Sequence, residues 1–165
     1  MRRWILFSTL LLVMSTALMG LELREGRIKL IINEQTARFS CYYLSDIAKN
    51  VYTPLIYDQE PRTTFATLSV DGKTYRLGES AEYRFTVGRS SGGAFIEYRS
   101  SFCVIKQSFG FVKSLESTLA DGISITFDIE NVSEKDISIG LRFLADTYLG
   151  EKSGRHFTVG TLTKL

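Results

Sequence analysis

A guanidinium, two carboxylates, a phenol and the only imidazole of the chain fall close together near the C-terminus, as Arg142, Asp146, Tyr148, Glu151 and His156. Two carboxylates can divide acid and base work when their environments separate their pKa values, and an imidazole titrates nearest neutrality. Carboxyl groups about 5 Å apart would suit a retaining glycosidase, and about 6.5–9.5 Å an inverting one. Tyr148 adds a flat ring on which a sugar could stack. The same stretch also reads as the ordinary polar end of a strand running into a loop with Gly150 and Gly154. Whether the chain is an enzyme stays open. A non-catalytic role is the leading expectation, with these five residues as ligand-binding candidates.

Other chemistries find less support. One histidine cannot form the His pair or cluster that zinc usually takes, so no metal and no cofactor is expected. No Gly-x-Ser-x-Gly elbow occurs. The Gly-rich run Ser90–Gly93 lacks the Lys-Ser/Thr and helix of a phosphate loop. Cys41 and Cys103 are the only cysteines. In an oxidising compartment they could form a disulfide, and each equally suits a small buried hydrophobe within an apolar strand pattern.

The elements that would carry these residues are strands. Ile123 to Glu130 alternates apolar and polar residues without error, which is the period of a half-buried strand with its odd positions inward. The period resumes at Ile137, Ile139, Leu141 and Phe143 beyond a polar turn, so an antiparallel hairpin is expected there. Thr64–Val70 and Lys73–Leu77 flank Asp71-Gly72, a pair suited to the positive φ of a type I′ turn. Ile28–Ile32 and Ala37–Tyr43 form another expected hairpin, and Tyr83–Val87, Phe95–Tyr98 and Phe102–Phe109 complete the strands. Phe39, Cys41, Leu68, Val70, Tyr75, Phe85, Ile125, Phe127, Ile139 and Leu141 are the expected core. Ser45–Thr63 holds both prolines and does not alternate, and its Ser45-Asp46 could cap one helical turn through Asn50. No sustained helical period is present, so an all-β, antiparallel β-sandwich is the economical fold.

Arg2 and Arg3 precede an apolar run from Trp4 to Met14, followed by small residues from Ser15 to Gly20. This is the pattern of an export signal, too short to span a bilayer comfortably. Residues 1–20 are therefore expected as a signal helix that is removed, and 21–165 as one domain that is periplasmic or extracellular. If the signal stays uncleaved, it is the sole expected membrane attachment. Of the 20 basic residues, Arg2 and Arg3 lie in the signal, which holds no acid, so the remainder balances the 18 acidic residues. Without a basic stripe, nucleic-acid binding is not expected. The single tryptophan is Trp4, so stacking in the mature domain falls to tyrosine, phenylalanine or arginine.

Glu130-Asn131-Val132-Ser133, followed by Ile137 through Thr147, resembles a unit of the galactose mutarotase-like β-supersandwich group, in which an Asn-turn precedes a ligand-facing strand end. Exported bacterial proteins of unknown function carry a similar Gly-x-Arg-x-x-x-Asp-Thr stretch, matched here by Gly140, Arg142, Asp146 and Thr147. The resemblance implies a supersandwich-like fold at half size, or a truncated form of it. The His-Pro-aromatic motif of the group's sugar epimerases is replaced here by Arg142 and Asp146, so epimerase chemistry is not implied. Together these readings lead to an exported, non-catalytic β-sandwich with a binding or structural role in the cell envelope. Its expected partner is an envelope protein or a glycan. The alternative is a carbohydrate-binding or carbohydrate-active domain using the Asp146–His156 loop.

Overall fold

The computed structural model describes residues 20–57 and 61–148, and the backbone at 158–159 and 163–164. The described residues form an all-β, antiparallel structure without helices. One four-stranded sheet runs in the order β1 (Gly20–Glu25), β2 (Ile28–Asn33), β3 (Phe39–Asp46), β4 (Val51–Pro54). A three-stranded sheet contains β5 (Phe65–Val70) between β6 (Lys73–Arg76) and β11 (Ile139–Leu144). A second four-stranded sheet orders β7 (Arg84–Ser90), β8 (Gly93–Arg99), β9 (Cys103–Val112) and β10 (Gly122–Asn131) as β10-β9-β8-β7. Two short strands, β12 (Thr158–Val159) and β13 (Thr163–Lys164), pair with each other. The signal expected over residues 1–20 lies outside the described residues except for Gly20, where β1 already begins.

Local turn chemistry explains the hairpins. Asp71 and Gly72 both adopt positive φ, 49° and 80°, as a type I′ turn requires, and place Val70 opposite Lys73. Between β2 and β3, Asn33 Oδ1 accepts the amides of Gln35 and Thr36 at 2.8 and 3.0 Å, satisfying two turn donors with one side chain. Ser91-Gly92 joins β7 to β8 as a two-residue turn, with Ser90 opposite Gly93. A Cβ at Gly93 would lie 1.9 Å from the Phe109 carbonyl, so the approach of β8 to β9 admits only glycine there.

The Ser45–Thr63 stretch has a tight hairpin turn where a helical turn was expected, followed by the strand β4. β3 runs through Asp46, and Asp46 Oδ1 accepts the Lys49 amide at 3.1 Å in a tight turn ending at Asn50, whose φ is 52°. The side-chain oxygen therefore stabilises a hairpin into β4 instead of a helix start. The larger correction concerns the expected β10–β11 hairpin. β10 pairs with β9 along its whole length, whereas β11 pairs with β5 from Ile139–Val70 to Leu144–Phe65. Hydrogen bonds of the intervening segment account for the change of sheet. The Val132 amide donates to the Phe102 carbonyl at 3.0 Å, and Ser138 exchanges two bonds with the Asp71 turn, its amide donating to Oδ1 at 2.9 Å and its carbonyl accepting the Asp71 amide at 3.0 Å.

All three larger sheets contribute to one core. Strict alternation is seen in β2, where Ile28, Leu30 and Ile32 are fully buried, and these join Phe39, Cys41, Leu68, Ile96, Ile105 and Phe109 as buried residues. Phe39 and Phe109 meet edge to face at 4.7 Å across two sheets, and Phe127 meets Phe143 at 5.6 Å. Ile125 and Phe127 face inward as their alternation requires, but stay half-buried because β10 has a strand neighbour on one side only. Leu141, expected in the core, is 38% exposed for the same reason, since β11 is also an edge strand. Phe109→Ala is expected to cost about 3–5 kcal/mol of unfolding free energy, and Phe127→Ala distinctly less, as measured by denaturant unfolding.

Candidate functional site

Arg142, Asp146 and Tyr148 lie within the described residues, whereas Glu151 and His156 lie outside them. Arg142 sits opposite Thr67 on β11, on a hydroxyl-rich outer face with Ser69 and Thr74. No hydrogen bond or ion pair joins it to Asp146 among the described residues. Asp146 is instead tied to the segment preceding β5. Its Oδ2 accepts the Thr63 hydroxyl at 2.6 Å, its amide donates to Thr64 Oγ1 at 3.0 Å, and its carbonyl accepts the Tyr57 amide at 2.9 Å. The Tyr148 amide donates to the Leu55 carbonyl at 2.9 Å, and Ile56 bridges to Thr147 between them. Asp146 and Tyr148 thus connect the chain leaving β4 to the chain leaving β11. Their backbone and carboxylate groups perform a connecting role.

The two cysteines are not joined. Both are free and buried, Cys41 within β3 and Cys103 at the start of β9. Cys103 Sγ lies 3.1 Å from the Tyr83 hydroxyl, so its polar partner is a phenol and not the other thiol. Burial pushes the Cys41 thiol up to about 12, which keeps it protonated and unreactive near neutrality. The unoxidised alternative describes this structure.

A second candidate site lies where the β5–β6 turn faces the β10–β11 crossover. Its cleft has a volume of about 360 Å³, within the range of small-ligand sites. Val70, Tyr75, Phe102 and Ile137 line it with apolar surface, and Asp71, Lys73, Ser133, Lys135 and Asp136 supply polar groups. The Asp71–Ser138 hydrogen bonds hold its two walls together. Tyr75 and Phe102 have ring centroids 5.7 Å apart, and Tyr83 packs against both at 5.7 and 5.8 Å. Burial, with the Cys103 hydrogen bond second, raises the Tyr83 phenol, so this supporting ring stays neutral. Two lysines against two aspartates leave the cleft without net charge, and none of the four makes a salt bridge among the described residues.

The turn residues that build this cleft were legible as turns, but their meeting was not. Asp71-Gly72 and Asn131–Asp136 are far apart in sequence, and only the transfer of the chain between sheets brings them together. The described residues hold no cluster of three or more His, Cys, Asp or Glu able to hold a metal ion.

Asp146→Ala removes the Thr63 contact and is expected to cost about 1 kcal/mol, with faster amide exchange at Tyr57 and Tyr148 than in the wild type. Cys41 has a folded pKa of about 12 against an ordinary value of 9.0, so its contribution to stability is complete below pH 9 and is lost as pH rises toward 12. Unfolding curves across that window should show a steeper loss for the wild type than for Cys41→Ala. No protein-family model, curated protein or solved structure matches this chain.

Proposed function

We propose that this chain is an exported, non-catalytic β-sandwich protein of the cell envelope that binds an uncharged glycan in the Tyr75–Phe102 cleft. The observation carrying the ligand class is the combination of aromatic and aliphatic walls with balanced polar groups at the rim. Sugar rings present apolar C–H faces to aromatic side chains and hydroxyls to Asp, Lys and Ser, and an uncharged ligand needs no net charge in return. The sandwich reading is supported by the bridge between Ile56 and Thr147, which links the β1–β4 sheet to the β11-β5-β6 sheet, and by the core that both share with the β7–β10 sheet. It agrees with the resemblance to the galactose mutarotase-like group, at a smaller size. The Arg2–Gly20 pattern supports export.

Glycan-array screening of the mature protein, followed by calorimetric titration of any ligand found, tests this reading. Tyr75→Ala is expected to weaken binding by about tenfold or more, since loss of a stacking ring removes on the order of 1.5 kcal/mol, while Tyr75→Phe retains most of the affinity. Binding insensitive to Tyr75→Ala but lost in Arg142→Ala would move the site to the outer face of β11. Turnover of a glycan would contradict the non-catalytic role, and an intact Met1 in the mass of the envelope-fraction protein would contradict cleavage.

A further inference from the structure

A second, smaller cavity lies away from the Tyr75–Phe102 cleft, where β3, β5, β6, β8 and β9 come together. It measures about 20 Å³, enough for one water-sized sphere and too small for sulfate, phosphate or a carboxylate. Gln107 projects into it from the inward face of β9 and is only 3% exposed. Its Oε1 accepts the Tyr98 hydroxyl at 3.4 Å, which leaves Nε2 as a buried donor with no protein partner. Burial raises the Tyr98 phenol, so that hydroxyl remains protonated and continues to occupy Oε1.

Arg76 supplies a second buried donor without a protein partner, its Nε. The rest of this guanidinium is held in place. Nη1 pairs with Glu79 at 3.3 Å, Nη2 donates to the Arg62 carbonyl, and the group stacks over the Phe65 ring at 3.7 Å. Arg38 reaches the same Glu79 at 3.2 Å. Two guanidiniums therefore share one carboxylate at the cavity wall, leaving a local surplus of one positive charge. Unpartnered buried N–H groups are costly, and two of them on residues lining one cavity, beside surplus positive charge, favour an acceptor that carries negative charge.

We propose that this cavity is a binding site for a small monoanion of halide size, held by Gln107 Nε2 and Arg76 Nε. Water can accept the same two hydrogen bonds but does not neutralise the surplus charge. The side chains of Arg76 and Arg38 are 35% and 26% exposed, so an ion entering past them need not open the core. The site is independent of the glycan cleft, and its occupancy would stabilise the junction of the three sheets.

Chloride titration of the full chain at constant ionic strength, with gluconate as the replacing anion, is the first test. A saturable rise in Tm and broadening of the chloride-35 resonance are expected, with affinity reduced about tenfold or more in Gln107→Leu. Crystals grown in bromide give a direct check that does not depend on a variant's folding. An anomalous bromide peak within hydrogen-bond distance of Gln107 Nε2 and Arg76 Nε is the expected result. A water molecule there, or a Tm that responds identically to chloride and gluconate, would overturn the proposal.

Discussion

Asp71 and Ser138 exchange two hydrogen bonds, and the course of the chain after β10 depends on them. Asp71 can serve this purpose because the type I′ turn directs its backbone and carboxylate toward a passing strand, at a positive φ that aspartate tolerates. Once Ser138 is caught, Ile139 falls opposite Val70, and β11 continues along β5 in register. A return beside β10 would leave the Asp71 amide without this partner. The same contact ties together the two walls of the cleft, so the topology and the shape of the cleft share one cause.

A second connection closes the opposite end of β11. Asp146 and Tyr148 secure the chain beyond β4 through Tyr57, Leu55 and Thr63, and an isolated bridge joins Ile56 to Thr147 between them. A carboxylate that could have served as an acid or base is thereby given a hydroxyl donor and an architectural task. Between these connections the core accommodates few polar groups, and Gln107 is the conspicuous one. A polar amide on an otherwise apolar strand face needs a partner on both its oxygen and its nitrogen, and Tyr98 meets only the first need. This asymmetry distinguishes the small cavity from an ordinary packing defect.

Much of the strand content was legible because period-two alternation reports burial of one face directly. Ile123 to Glu130, the Asp71-Gly72 hairpin and the Asn33–Thr36 turn all follow from residue types within a few positions of one another. Leu141 and the β10–β11 pairing did not follow, since alternation states which side of a strand is apolar but not which strand lies beside it. The Ser45–Asn50 turn was misread as helical because an aspartate that accepts the amide three residues later does so both at a helix start and in a tight turn. Arg142 and Asp146 attracted attention by proximity in sequence, yet the side chains have different surroundings, one on an outer face and the other in a connection between sheets.

By itself the sequence determined the β class, the positions of most turns and the inward faces of most strands, because each depends on neighbouring residues only. Tertiary structure alone decided that Cys41 and Cys103 remain separate thiols, that β11 joins β5, and that Tyr75 and Phe102 form a cleft with the Ser133–Ile137 segment. It also placed Gln107 and Arg76 around one cavity. These outcomes require hydrogen bonds and packing between residues distant in the chain, whose selection depends on which competing pairings satisfy the buried polar groups together.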